Sequence, residues 1–285
     1  MTMSIITFSN RDKREVGQTL SVAAIATCMA IEHNYKILLI STDFDDKSLE
    51  NCFFKTSKVT NTINSIFQKR GGNLDVASGV EGLIRLFASN RVQLDMLDSY
   101  TRPILKDRLD ILPSPKTKDI KEYSRLSTYF SQIAEVAGRV YDVVLIDLSK
   151  FIPAENMKKV YDLSSLVVMG IAQNQDSIND FMTLKASNEF YSKNSVMINI
   201  GKYNEYSRFT AKNIGRELKE SITPFVVPYN IHFSDNCSDT TLVDYILKVQ
   251  KLTFKDGDDG KFYQALKDTT ERIDYERTSF EYGLK

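Results

Sequence analysis

Several short segments of this chain are apolar at every position, and no other feature narrows the fold as much. The runs ILLI at 37–40, VVLI at 143–146 and LVVM at 166–169 contain no polar alternation. A strand with one wet face alternates apolar and polar side chains. An uninterrupted run therefore marks a strand buried on both faces, as in a parallel sheet covered by helices. Strands are expected at 4–8, 37–41, 109–112, 143–147, 166–170, 196–200 and 225–228. Longer helical stretches separate them, which implies βαβ crossovers. The expected fold is α/β: a three-layer sandwich around a mostly parallel sheet of about seven strands.

The first helix should cover 18–32, where QTLSVAAIATCMAIE is apolar nearly all round and hence buried. Helical patterns are read at 80–90 and 100–109, forming a layer at one edge, and at 123–138. The run KDGDDGK at 255–261 reads as a flexible loop before a terminal helical segment, about 262–285, that packs on the body through Phe262, Leu266 and Ile273. No repeat or low-complexity linker divides the 285 residues, so a single domain over 1–285 is expected. The 37 basic and 37 acidic residues cancel, which argues against binding DNA through a general basic field. No apolar stretch approaches the ~20 residues that span a bilayer, and MTMSIITFSN lacks the layout of a secretory signal. Cys28, Cys52 and Cys237 form neither a disulfide framework nor a zinc spacing, and His33 and His232 are isolated. A cytoplasmic location is expected.

Chemistry concentrates in IITFSNRDKREVGQTLS, a strand, a loop and then a buried helix. A phosphate-binding loop, G-x-x-x-x-G-K-[ST], belongs in that place. Its glycines let backbone N–H groups wrap phosphates, its lysine meets the β- and γ-phosphates, and its hydroxyl binds Mg²⁺. Here Gly17 is the last glycine and Thr19 the metal hydroxyl, but Gln18 replaces the lysine and Asp12 the first glycine.

The arrangement resembles the ParA/MinD superfamily of deviant Walker ATPases, whose loop is of type GKGGVGKT. DKREVGQT aligns with it without a gap and puts Lys13 on the family's signature lysine. LLISTDF keeps the second acid of the family's LLIDxD as Asp43 and replaces the first with Ser41; YDVVLID ends in Asp147, at the Walker B position; LDILPS matches a family strand end. Towards the C-terminus, MINIGKYNEYSRFTAKNIGREL and FVVPYNIHF resemble the CpaE/TadZ-like branch of Flp-type pilus assembly, with Asn199 at the adenine-reading asparagine and Pro228 flanking the base. That branch often carries an N-terminal receiver-like domain, which is not expected here.

The resemblance covers about 4–246 and implies a P-loop NTPase topology of the SIMIBI/ParA type. It implies ATP and Mg²⁺ as cofactors, with Asn10, Arg11, Lys13, Arg14, Gly17, Gln18, Thr19, Leu20, Asn199 and Pro228 around the nucleotide. Thr19 and Asp147 would hold the metal, and Asp43 and Lys13 would be catalytic. It also implies a nucleotide-dependent homodimer in which Lys13 reaches the partner's phosphates, and a protein partner in a pilus, secretion or partition system, polar or membrane-proximal through that partner. Plain structural readings stand beside these: a helix-terminal hydroxyl at Thr19, a turn acid at Asp147, a solvated loop acid at Asp43, a surface lysine at Lys13 and a backbone-paired Asn199. Tyr203, Tyr206, Arg208 and Phe209 read as loop packing or partner contact before a nucleic-acid patch.

The departures shape the expected activity. Losing the lysine removes a charge that stabilises phosphoryl transfer. Arg14 and Glu15 replace glycines, and Glu15 would repel phosphate. Gln18 can still donate a neutral hydrogen bond. The expectation is an atypical nucleotide switch or scaffold with very slow or no hydrolysis. The alternatives are an active partition-type ATPase acting with DNA, and a nucleotide-free interaction module.

Overall fold

The computed structural model describes residues 4–12, 15–55, 79–89, 91, 93–187, 195–219 and 223–281. Lys13 and Arg14 lie outside the described residues. In chain order come β1 (Ile5–Ser9), α1 (Gln18–Glu32), β2 (Ile37–Ser41), α2 (Ser48–Asn51) and α3 (Val80–Ala88). A 3-10 turn, Leu94–Ser99, precedes β3 (Arg102–Leu105), β4 (Leu109–Leu112), α4 (Ile120–Leu126) and α5 (Phe130–Ala137). Next are β5 (Val143–Leu148), α6 (Ala154–Leu163), β6 (Leu166–Gly170), α7 (Gln175–Ser187), β7 (Val196–Tyr203) and α8 (Ala211–Glu217). The chain ends with β8 (Phe225–Pro228), α9 (Ile231–Ser238), α10 (Leu242–Val249) and α11 (Gly257–Glu281).

Among the described residues the sheet has eight strands in the order β3-β4-β2-β5-β1-β6-β7-β8. Every neighbouring pair is parallel except β3 with β4. The seven parallel strands are those the apolar runs predict. The eighth corrects the sequence reading, since 100–109 is a hairpin and not a helix. Asp107 turns the chain at φ 61 and Arg108 N–H donates to Leu105 O at 3.0 Å. Pro103, which has no N–H to give a ladder, suits the edge position. Arg102 lays its guanidinium 3.8 Å from the centre of the Phe54 ring.

Side chains alternate strictly across the sheet. Ile6, Phe8, Leu39, Leu145, Val168 and Met197 pack on one face with α1, α10 and α11. Ile5, Leu38, Val144, Val167, Ile198 and Ile200 pack on the other with α5, α6 and α8. The polar residues of β1 obey the same register: Thr7 pairs with Ser164, and Ser9 with Tyr161, each at 2.7 Å and buried.

The stretch read as a flexible loop at 255–261 is also corrected. Asp256 closes a turn by accepting from Thr253 N–H at 2.6 Å, and α11 begins at Gly257. Through Phe262, Tyr263, Leu266 and Ile273 this helix is buried against the α1 face. Among the described residues no helix is long and apolar enough to cross a membrane.

β1 lies between β5 and β6, so the crossover from β5 to β6 passes over it. The strand order reverses there, and the loops after β1 and β5 diverge at the carboxyl ends of their strands. In open α/β sheets that crevice is where ligands bind.

Candidate functional site

The loop from Asn10 to Gly17 leaves the end of β1 and enters α1. Gly17 has φ 69 and ψ 22, a left-handed conformation that a residue with a β-carbon adopts at a cost. Among the described residues no side chain caps α1, and no acidic residue lies in its first turn. The backbone N–H groups and the positive end of the helix dipole thus face the loop, the arrangement that suits an anion.

Gln18 turns inward. It is 8% exposed, and its amide nitrogen donates to Asp147 Oδ1 at 2.5 Å, Phe8 O at 3.2 Å and Leu148 O at 3.3 Å. Its carbonyl accepts from Asn10 Nδ2 at 2.8 Å. The expectation that Gln18 offers its amide to phosphate is corrected by this arrangement, because the amide is already committed beneath the loop.

Asp147 ends up on the α1 side of β5 because it follows Val143 and Leu145 at the two-residue strand period. It is 2% exposed, and among the described residues nothing hydrogen-bonds its Oδ2. Burial raises its pKa, and the Gln18 amide and the Thr19 hydroxyl pull it back down. Ser41 is its register neighbour on β2. Thr42 then ties the two loops together: its hydroxyl donates to Asp147 O at 2.8 Å and accepts from Ser149 N–H at 2.9 Å. Tyr123 donates its hydroxyl to Thr42 O. This brace holds Asp43 beside Asp147. Burial, then the charges of Asp147, Asp46 and Glu50, raise the Asp43 pKa.

The structure thus brings Gly17, Gln18, Thr19, Asp43 and Asp147 together. On the far side of Gly17 a narrow cleft is lined by Gly17, Leu20, Ser21, Lys202, Pro228 and Tyr229. Leu20 and Pro228 thus line one cleft with Gly17. Arg11 turns away, with its guanidinium 3.7 Å from the Met157 sulfur. Asn199 does not reach the cleft. It sits deeper on β7, 2% exposed, with an Oδ1 that has no partner among the described residues.

What meets the loop from β7 is Gly201 and Lys202, which sequence reasoning passed over. A β-carbon on Gly201 would lie 2.4 Å from Val16 O and 2.9 Å from Gly17 O. Lys202, at φ 53, crosses over Gly17 and its ammonium meets Glu15 Oε2 at 2.7 Å. That hydrogen bond, then the lysine charge, holds the Glu15 carboxyl below its usual range. The available signal was a glycine closing an apolar strand next to a lysine.

A divalent cation has donors here. Mg²⁺ is a hard cation held by one or two carboxylates plus phosphate and water. The open Oδ2 of buried Asp147 beside the Thr19 hydroxyl fits that donor set. Among the described residues no three His, Cys, Asp or Glu side chains form a ligand cluster, so phosphate oxygens would have to complete the shell.

No family model matches this chain. No curated protein sequence does either. Solved structures do match. A ParA family ATPase from Chlorobium tepidum TLS superposes with a TM-score of 0.68 at 16% identity, over 94% of this chain and 99% of its own. MinD from Pyrococcus horikoshii OT3, solved with Mg-ADP, gives 0.64 at 13% identity over 95% and 96%. The MinC:MinD cell division complex of Aquifex aeolicus gives 0.61 at 16% identity over 95% and 96%. The chain therefore has the ParA/MinD fold, an α/β P-loop NTPase architecture with a mostly parallel sheet.

Proposed function

We propose that this protein is an atypical nucleotide-binding switch of the ParA/MinD type, which positions a protein assembly and turns ATP over very slowly or not at all. The carrying observation is the loop at Gly17: left-handed, opening an uncapped helix, with the Thr19 hydroxyl and the open oxygen of Asp147 alongside. The Mg-ADP in the Pyrococcus horikoshii protein of the same fold supports this reading. In the proposal the N-terminal N–H groups of α1 receive the β-phosphate, Thr19 and Asp147 hold Mg²⁺, and Leu20 and Pro228 flank the nucleoside. Mg²⁺, when bound, supplies neutralisation of phosphate charge. Asp43 would orient water or a metal-bound ligand. Slow turnover follows from Gln18, whose amide engages Asp147 in place of a lysine reaching phosphate.

The cargo is proposed to be a pilus or secretion assembly of the Flp/Tad type, on the sequence likeness of 197–218 and 225–233. Recruitment by that partner would bring the protein to the membrane or pole. The MinC:MinD complex supports a protein partner in general. A partition role acting with DNA is the alternative cargo.

The Gln18–Asp147 clamp also favours a second reading, a nucleotide-free interaction module, because it occupies the carboxylate the metal would need. Calorimetric titration with Mg-ATP and Mg-ADP separates the two. Saturable binding with phosphate release well under about 1 per second supports the switch. Absence of binding supports the module, and turnover at ordinary kinase rates would overturn both.

A further inference from the structure

Glu15 is the residue that most plainly spoils this loop for phosphate, and the structure answers it with Lys202. The pair lies at the rim: Glu15 is 88% exposed and Lys202 44%. Their contact is 2.7 Å long and spans 187 residues of sequence. Three features bring Lys202 there. β7 runs four residues beyond its last ladder contact with β6, at Asn199, and so passes the end of β6. Gly201 has no β-carbon, so the strand lies directly on the carbonyls of Val16 and Gly17. Lys202 itself takes a left-handed φ, and its γ-carbon sits 3.0 Å from where a Gly17 β-carbon would be.

A left-handed lysine is uncommon, and an exposed ion pair adds only about 0–1 kcal/mol. Stability is thus a weak reason for this arrangement. Other described cations do not serve as well. Arg11 faces Met157, and Gln18 carries no charge. Lys150 acts on Glu15 only as the last and least of the influences on its carboxyl. A polyphosphate lying on the N-terminus of α1 would bring negative charge to the same rim and compete with the Glu15 carboxylate for the ammonium.

We propose that Lys202 supplies in cis the phosphate-binding cation that the loop lacks at Gln18, and that Glu15 is its internal counter-ion, released when a nucleoside di- or triphosphate binds. This rests on the nucleotide reading above. The exchange is a swap of one anion for another on Lys202, with no covalent step. Glu15 therefore sets the affinity: it weakens binding by competing with phosphate for the lysine.

Four proteins test it by calorimetry with Mg-ADP: wild type, Lys202→Asn, Glu15→Gln and the double variant. Asparagine suits the left-handed backbone at 202, and Lys202→Met serves as a second variant should the first disturb the fold. The expected result is roughly tenfold weaker binding without Lys202, since a charge-assisted bond is lost. Glu15→Gln should tighten binding several-fold, but only while Lys202 is present. Indifference to both Lys202 variants overturns the proposal. Equal tightening by Glu15→Gln with and without Lys202 also overturns it, because Glu15 would then simply repel phosphate. Failure of all four proteins to bind overturns the nucleotide reading itself, a result distinct from wild-type binding that ignores Lys202.

Discussion

Gln18 and Gly201 decide what the loop can do. Gln18 fills the space under the loop and donates to one oxygen of buried Asp147, so the position has a structural role. Gln18→Leu keeps the volume and leaves the carboxylate without its donor. Unfolding experiments should show a loss of about 1–3 kcal/mol. The bond is strongest to the charged carboxylate, and losing it lets the Asp147 pKa rise further. The deficit should therefore be full at high pH and shrink as pH falls through the Asp147 titration. An equal deficit at all pH would mean that packing and not charge is at stake. Gly201 matters through contact: a methyl group 2.4 Å from Val16 O cannot be housed without moving the loop backbone. Gly201→Ala should cost about 1–3 kcal/mol, the usual range for overpacking, and should weaken any nucleotide binding by more than its stability loss alone would. A melting temperature within a degree of wild type would show that β7 does not brace the loop.

At the level of elements, strands buried on both faces announced themselves and the marginal ones did not. β2, β5 and β6 read directly as apolar runs because helices cover both of their sides. β3 was invisible: its residues Arg102 and Pro103 are exposed, and a solvent-facing edge strand needs no apolar pattern. The start of α11 was missed for a different reason. GDDGK looks like a loop by composition, yet the turn closed by Asp256 nucleates a helix through it. In the site, positions set by strand register and loop sequence were legible, as with Asp147 and Gly17. Contacts between distant elements, such as Lys202 with Glu15, and the inward rotamer of Gln18 were not, because no local spacing encodes them. The packing of α11 gives its own prediction. Phe262 is 1% exposed and stacks on Phe233 at 4.8 Å. Phe262→Ala should cost about 3–5 kcal/mol in urea unfolding. A loss below about 1 kcal/mol would mean that α11 is only loosely attached.

For the whole molecule, the proposed switch requires that nucleotide change assembly. Lys13 carries that expectation from its sequence position. In light scattering, Mg-ATP should convert wild type to a dimer and leave Lys13→Ala monomeric; a mass unaffected by either would leave no role for a lysine acting in trans. The acidic pair connects this to the metal. Asp43 and Asp147 are held above their ordinary pKa by burial, so their charged forms cost stability at neutral pH, and a bound cation would remove that cost.

In the proposed switch Thr19 and Asp147 hold Mg²⁺ against a nucleotide on the loop at Gly17, and the Mg²⁺-dependent part of the ATP-induced melting shift tests this site directly. A ligand at 100 times its Kd adds about 2.7 kcal/mol to stability, an effect large enough to read in wild type and in Thr19→Ala side by side. Wild type should melt higher with Mg-ATP than with ATP and chelator, and Thr19→Ala should lose that difference. No shift in wild type, or the same Mg²⁺-dependent shift in both proteins, would mean that Thr19 and Asp147 do not form this metal site.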